Sequence, residues 1–322
     1  MSARAIIISK VLLLYSQTQL YRLTIYRLRF MITGKGAKNM DTPVSITKLH
    51  ELRAQKGVLI ATHRGVMGGN IIENTIGGYR AAVNMGSDIV EMDVPRTLDG
   101  KLVCIHDGME RRLFMANWIP TPMLLERFAL RRRYMNQSLS RLSQTPCRFE
   151  DALQALKGRC IINVDRCWGH WQKVCEVVAR FGMEDQVLFK CVPCEKYLKV
   201  LESQQTRFLY MPIIKKMQDF ETVERFNLTV PAYEFVFSAP TSSIIAPEIL
   251  SKLKQKGILL WGNAIDIHEG GDLCAGFDDY ISLTDDPEKG WGKLIEMGFD
   301  ILQTDFPSAL HNYLVKKGVR RA

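Results

Sequence analysis

The hydrophobic pattern of this chain repeats one unit, a short apolar run followed by a segment with apolar residues at helical spacing. Apolar runs of about four to eight residues bounded by turn residues are typical of strands that are buried on both faces. Eight such runs begin at residues 58, 89, 160, 186, 207, 233, 258 and 301. Eight strands that alternate with helices predict a closed parallel barrel of the (β/α)8, or TIM, type.

The segments between the runs predict helices, with one interruption. The predicted helices are at 45–55, 76–85, 149–156, 170–181, 195–203, 220–226, 247–256, 287–297 and 307–316. Asp99-Gly100 predicts a hairpin turn that brings 102–105 back beside the second strand. Residues from about 108 to 148 show neither the helical nor the strand period of hydrophobic residues. A long segment of this kind is typical of an insertion that covers a site.

Composition is that of an ordinary globular protein, with 47% hydrophobic and 24% charged residues in a chain of 322. This length suits one barrel-sized domain with a single core. The eight cysteines are scattered, several within apolar strands, so we expect buried, reduced thiols. Cys191 and Cys194 have CxxC spacing, but no second Cys/His pair accompanies them, which argues against zinc or redox chemistry.

The net charge of +9 comes mainly from the N-terminus, where seven Lys or Arg and no acid precede Met40. The rest is nearly neutral, which argues against a nucleic-acid partner. We interpret 1–39 as a basic extension, either disordered or not native, before a barrel domain at 40–322. Its apolar run is too short to span a bilayer. We expect a cytoplasmic protein. The alternatives are that this segment associates the protein with a membrane or directs its secretion.

Candidate chemistry lies at the strand ends, which form the functional face of a parallel barrel. Carboxylates suit Mg²⁺ or Ca²⁺, histidines exchange protons near neutral pH, and arginine binds phosphate oxygens. The side chains of these types at or near strand ends are His63, Arg64, Glu91, Asp93, His106 and Asp165. Together they predict a site for a phosphate ester.

Six short motifs in order carry a more specific signal. They are His63-Arg64-Gly65, Glu73-Asn74-Thr75, Glu91-Met92-Asp93, Thr97-Leu98-Asp99-Gly100, His106-Asp107 and Gln303-Thr304-Asp305-Phe306-Pro307. This pattern resembles the signature of the glycerophosphodiester phosphodiesterase family over 58–318. The resemblance implies hydrolysis of glycerophosphodiesters to glycerol 3-phosphate and an alcohol, with His63 and His106 as acid and base. It also implies a divalent metal, Mg²⁺ or Ca²⁺, on Glu91, Asp93 and Asp165.

The chain departs from the family pattern after the third strand. Asp165-Arg166-Cys167 stands where the family usually has Glu-x-Lys, which leaves the metal preference open. We expect Lys190, at the end of the fourth strand, to restore a positive charge near the phosphate, beside Arg64. Trp261 is expected to form an apolar wall for the alcohol. For Asp305, helix capping and a site role remain equally open.

Two alternatives remain at this point. One is a related barrel phospholipase that acts on intact lipids, with the insertion and the N-terminus facing a membrane. The other is a catalytically silent barrel that binds phosphate esters, against which the two histidines and three acids argue. We expect a small-molecule phosphodiester as the partner. Peripheral membrane contact and the oligomeric state stay open.

Overall fold

The computed structural model describes residues 47–114, 140, 142, 144–205, 207–267 and 273–322, and the structural statements below concern these residues. The N-terminal extension 1–39 and most of the insertion expected at 108–148 lie outside them.

Ten strands occur in the described part of the chain. In chain order they are β1 Leu59–Thr62, β2 Ile89–Asp93, β3 Val103–Cys104, β4 Cys147–Arg148, β5 Ile161–Asp165, β6 Val187–Cys191, β7 Leu209–Ile214, β8 Ala232–Phe235, β9 Leu259–Asn263 and β10 Ile301–Thr304. Eight of them form a closed parallel barrel in the ring order β1-β2-β5-β6-β7-β8-β9-β10, with β10 beside β1. The predicted TIM barrel is thus confirmed.

Helices cover the outside of the ring. They are α1 Lys48–Lys56, α2 Ile76–Asn84, α3 Glu110–Phe114, α4 Phe149–Leu156, α5 Trp171–Phe181, α6 Glu195–Glu202, α7 Met217–Glu224, α8 Pro247–Gln255, α9 Asp279–Thr284, α10 Trp291–Glu296 and α11 Pro307–Lys316. The helix predicted at 287–297 is shorter than expected, and α9 was not predicted.

The predicted hairpin after β2 is present as a tight turn. Thr97 donates its backbone N–H to the carbonyl of Lys101 at 2.8 Å, and Ile105 donates to Asp93 at 3.2 Å. The returning segment then pairs β3 antiparallel with β4, outside the barrel. This return carries the chain back to the end of β2, where His106 follows.

Each barrel strand is buried on both faces. In β1, Leu59 and Ala61 belong to the cluster inside the barrel, whereas Ile60 packs in the layer between strands and helices. Two apolar faces explain why the strands read as continuous apolar runs. Leu49 of α1 is fully buried and belongs to the interior cluster.

The C-terminal tail contributes one buried cation to the start of the barrel. The Arg320 guanidinium donates to Asp88 at 2.6 Å and to the carbonyl oxygens of Val58 and Gly86 at 2.8 and 2.9 Å. Lys56 adds a second ion pair to Asp88 at 2.8 Å. The tail is therefore bonded to the residues that open β1 and β2.

All eight cysteines are free thiols, and all except Cys194 are buried, as expected. Along the described residues, no helix combines the length and the apolar character that crossing a membrane requires.

Candidate active site

A cavity of about 190 Å³ opens at the carboxyl ends of the strands. Seven of the eight side chains expected in the site line it, namely His63, Arg64, Glu91, Asp93, His106, Asp165 and Lys190. Its opposite wall includes Ile213, Lys215, Glu234, Val236, Asn263, Ile265, Ile267, Leu273 and Gln303. The barrel thus gathers residues that are far apart in the sequence around one space.

The loop after β1 has an unusual backbone that fixes Arg64. Arg64 lies in the left-handed region at φ 54°, and its backbone N–H donates to Glu91 Oε2 at 2.8 Å. Gly65 follows at φ 72°, and a Cβ there would lie 2.8 Å from the carbonyl carbon of Gly78. A left-handed non-glycine residue costs about 1–3 kcal/mol, and such strain is common at functional sites.

The Arg64 side chain is held by two acids. Its Nη1 lies 3.3 Å from Glu73 Oε1, and Arg112 contacts the other oxygen of Glu73 at 2.6 Å. The Nε of Arg64 lies 3.2 Å from Asp93 Oδ2, yet this N–H is not directed at an acceptor. The short distance therefore represents charge attraction rather than a formed hydrogen bond.

Asn74 orients the metal-ligand candidate Asp93. The Asn74 amide donates to Asp93 Oδ2 at 2.8 Å, and its carbonyl oxygen accepts from the Asp93 N–H at 3.1 Å and from the Tyr79 hydroxyl at 3.0 Å. Asn74 has φ 52°, while Thr75 caps α2 by accepting from Gly78 N–H at 3.1 Å. Thr75 is thus the N-cap of α2, and Asn74 is left to bind Asp93.

The carboxylates of Glu91 and Asp93 are buried next to each other at the end of β2. Burial, followed by repulsion from Asp93, raises the pKa of Glu91 to about 7. Asp165 is different: burial favours its neutral form, but the nearby Lys190 ammonium outweighs this and lowers its pKa. The cavity therefore has an excess of negative charge around Glu91 and a compensated carboxylate at Asp165.

Lys190 is a buried cation between two acids. Its Nζ lies 3.0 Å from Asp165 Oδ2 and 3.5 Å from Glu234 Oε2. Burial alone would lower the pKa of Lys190, but Asp165 and Glu234 outweigh that effect and raise it. Lys190 is therefore charged inside the cavity and is not a surface residue.

The two histidines have different partners. The Nδ1 of His63 lies 3.0 Å from Asp305 Oδ1; burial lowers the pKa of His63, but Asp305 outweighs it and the net pKa is raised. The Nδ1 of His106 donates to the Asp107 backbone carbonyl at 2.8 Å, and burial lowers its pKa. His63 is thus biased towards the protonated form and His106 towards the neutral form.

Asp107 supports the cavity through an ion pair. Its carboxylate contacts Nε of Arg166, which has φ 52° and lies directly after Asp165. Because Arg166 also lines the cavity, this ion pair fixes the position of a cavity residue.

Comparison with known proteins agrees with this geometry. Residues 63–158 match the family model described as the glycerophosphoryl diester phosphodiesterase family, and residues 210–314 match a domain of unknown function. A glycerophosphodiester phosphodiesterase of Bacillus subtilis (strain 168) is 36% identical over 81 residues, which cover 25% of this chain and 27% of the relative. This match therefore spans only about a quarter of the relative's length.

Solved structures extend the likeness to the whole barrel. A glycerophosphoryl diester phosphodiesterase from Parabacteroides distasonis superposes with a TM-score of 0.67 at 15% identity, covering 85% of this chain and 94% of that one. The family model, the Bacillus relative and the shared barrel fold all indicate the glycerophosphodiester phosphodiesterase family. A phosphodiesterase of Oleispira antarctica, solved with the product sn-glycerol-3-phosphate, gives a TM-score of 0.58 at 16% identity and covers 80% and 97% of the two chains.

One residue that was expected in the site is placed elsewhere. Trp261 is fully buried and does not line the cavity. Its indole N–H lies 3.0 Å from Asn263 Oδ1 and 3.2 Å from Gln303 Oε1, both of which do line it. The expectation that Trp261 forms a wall for the substrate is therefore corrected. Its ring lies in the barrel interior, below the residues that line the cavity, and its indole N–H contacts two of those residues.

The sequence indicated no role in the site for three further buried polar residues of the cavity, Glu234, Asn263 and Gln303. Each is buried at the carboxyl end of an apolar strand of the barrel. A lone polar residue inside such a run was the available signal, because a buried polar group needs a partner or a function. Asp305, for which both roles were open, contacts His63.

Proposed function

We propose that this protein hydrolyses glycerophosphodiesters to glycerol 3-phosphate and an alcohol. The observation that carries the proposal is the pair of cavity histidines whose pKa values are shifted in opposite directions beside a cluster of carboxylates. Groups shifted apart in this way are typical of an acid and a base that work together. The family, the name of the Bacillus relative and the product bound by the Oleispira phosphodiesterase support the substrate class.

The two histidines then take distinct roles. His106 donates through Nδ1, so its neutral Nε2 suits the general base that takes a proton from the attacking water molecule. His63 is held by Asp305 in the form that donates, so it suits the general acid that protonates the leaving alkoxide. Arg64 and Lys190 supply positive charge for the phosphoryl oxygens.

The donor set fits a divalent metal ion. Glu91, Asp93 and Asp165 are oxygen ligands of the kind that Mg²⁺ and Ca²⁺ prefer. Burial, followed by repulsion from Asp93, raises the pKa of Glu91, and a bound cation would favour its ionised form. Bound there, the ion would neutralise charge and polarise the phosphoryl group. As the described side chains stand, no three of the ligand type are grouped for a metal. A bound ion would compete with Arg64 for Asp93 and with Lys190 for Asp165, because these cations lie 3.2 and 3.0 Å from the two carboxylates.

The ion that fits best follows from the shorter acid at Asp165. With one methylene fewer than glutamate, Asp165 leaves room for retained water, which favours the strongly hydrated Mg²⁺. We propose that Mg²⁺ supports activity at least as well as Ca²⁺ does.

The test is turnover of glycerophosphocholine by the purified protein, followed by assay of released glycerol 3-phosphate. We expect activity to disappear in EDTA and to return with Mg²⁺ at least as well as with Ca²⁺. His63→Ala and His106→Ala should each lower kcat by about two to four orders of magnitude, since each removes a proton-transfer group.

Circular dichroism of each variant is the control for folding. Normal turnover by a folded histidine variant removes that residue from the mechanism, full activity in EDTA without bound metal rejects the metal, and recovery with Ca²⁺ alone rejects the preference for Mg²⁺.

A further inference from the structure

Glu234 has a buried carboxylate with one oxygen that receives no hydrogen bond. The residue is 4% exposed and lines the cavity from the end of β8. Its Oε1 accepts from the Asn263 amide at 2.8 Å. Its Oε2 is buried and has no hydrogen-bond donor among the described residues. A buried acceptor of this kind is destabilising unless a donor reaches it.

Lys190 neutralises this carboxylate without completing its hydrogen bonds. The ammonium lies closer to Asp165, at 3.0 Å, than to Glu234 Oε2, at 3.5 Å, and the geometry to Glu234 is not that of a hydrogen bond. Glu234 is thus paired in charge, but Oε2 retains the capacity to accept a hydrogen bond. Because the charge is already paired, the missing donor need not be a cation.

The position of Glu234 in the cavity suits contact with the organic part of a substrate rather than with its phosphate. In the ring of eight strands, β8 lies opposite β2, which carries Glu91 and Asp93. A phosphate held near those acids would therefore extend its ester group towards Glu234. Around Glu234 the wall combines apolar side chains, such as Val236 and Ile265, with the cations Lys190 and Lys215. Such a wall disfavours a cationic group and accepts a carbon chain.

We propose that Glu234 accepts a hydrogen bond from a hydroxyl of the glycerol part of the substrate. The residue thereby selects phosphate esters of polyols over esters of the corresponding unsubstituted alcohols. A hydroxyl supplies one uncharged donor, which is what Oε2 lacks, and loss of such a partner is costly for a buried acceptor. The inference rests on the proposed function for its substrate class, but it makes a separate prediction about binding.

The experiment compares two ligands with the same three-carbon chain, sn-glycerol 3-phosphate and n-propyl phosphate. Isothermal titration calorimetry gives the dissociation constant of each for the wild type, Glu234→Leu and Glu234→Gln. We expect the wild type to bind glycerol 3-phosphate at least about tenfold more tightly, as one hydrogen bond to a charged acceptor allows. In Glu234→Leu this ratio should fall to about one, with n-propyl phosphate affinity kept within about threefold.

Two further variants make the result decisive. Glu248→Gln removes a charge from an exposed position on α8 and should keep the wild-type ratio. If Glu234→Leu does not fold, Glu234→Gln decides, because it keeps the shape while weakening the acceptor and should lower the ratio by at least about threefold.

The outcomes separate this proposal from the proposed function. An unchanged ratio in the folded Glu234 variants overturns it, and equal weakening of both ligands overturns it too, because Glu234 then only holds Lys190 in place. A hydroxyl-dependent ratio that disappears in the variants supports it, even if the wild type hydrolyses no phosphodiester, in which case the proposed function alone fails.

Discussion

The oxygen atoms that face the two histidines differ in charge, and the pKa of His63 is raised whereas that of His106 is lowered. His63 faces the carboxylate of Asp305, whereas His106 faces a neutral backbone carbonyl. A carboxylate stabilises imidazolium, and a carbonyl mainly orients the ring. At the scale of single residues, Asp305 is therefore the group that keeps His63 protonated.

We expect Asp305→Asn to narrow the pH range of activity from its basic side. Without the carboxylate, burial lowers the pKa of His63, so the general acid loses its proton at a lower pH. The basic limb of the pH profile of kcat/KM should move to lower pH, while the acidic limb, set by His106, stays in place. A profile with an unmoved basic limb would separate Asp305 from the proton chemistry.

The same contact has a consequence for folding stability. Because the pKa of folded His63 is raised above its ordinary value of 6.5, its stabilising contribution is complete below that value and is lost as pH rises through the raised value. Asp305→Asn should remove this dependence, so the two proteins should differ more in unfolding free energy at acidic than at alkaline pH.

Sequence reasoning recovered the charged residues of the site more easily than the amides. His63, Glu91 and Asp93 are recognisable because their types and their strand-end positions coincide. Asn263 gives only the weaker signal of a single polar residue in an apolar run, and the depth of Trp261 depends on barrel curvature, which one strand does not encode. Residue type predicts chemistry, but the layer a side chain occupies is a property of the closed ring.

Among the elements, the six-residue helix α9 holds the end of β10 in position. Its first residue, Asp279, is buried and accepts from the Trp291 indole and the Thr304 hydroxyl at 2.7 Å each, and from the Asp305 N–H at 2.8 Å. The helix therefore fixes the end of β10 in the place from which Asp305 reaches His63.

Asp279→Ala should destabilise the protein and lower its activity. Three donors lose one acceptor, and each unsatisfied buried group costs about 1–3 kcal/mol, so we expect a loss of at least about 3 kcal/mol in unfolding free energy. Urea unfolding measures this loss, and kcat measured well below the midpoint reports the displacement of Asp305. Asp285→Ala, which removes an exposed ion pair to Lys289, is the matched control and should change little. Equal stability of the two variants would contradict the role of α9.

The barrel strands could be predicted from the sequence more reliably than the short helix α9. The barrel strands were predicted within one or two residues because burial on both faces gives an uninterrupted apolar run. The helix α9 was not predicted because Asp-Tyr-Ile-Ser-Leu-Thr is short and follows residues without a helical period. Its cap, in which Asp278 accepts from Ile281 N–H at 2.9 Å, was the local signal.

For the whole molecule, the buried contact between Arg320 and Asp88 joins the chain's end to the start of the barrel. Arg320→Ala leaves Asp88 buried with less compensation, and we expect a loss of about 3–5 kcal/mol in unfolding free energy. Arg225→Ala is the control, because it breaks an ion pair to Glu195 that is exposed on both sides. Urea denaturation of both variants gives the comparison, and a loss no greater than that of the control would show that the tail is dispensable.

The pairing of β1 with β10 also sets the order of events at the ribosome. The first barrel strand leaves the exit tunnel long before the last one, and until then one edge of β1 has no neighbour. Contacts so distant in sequence form slowly, and an open strand edge invites pairing with other chains. A nascent chain of this protein is therefore exposed to misassembly until β10 and Arg320 have left the exit tunnel, which makes this interval the natural time for chaperone binding.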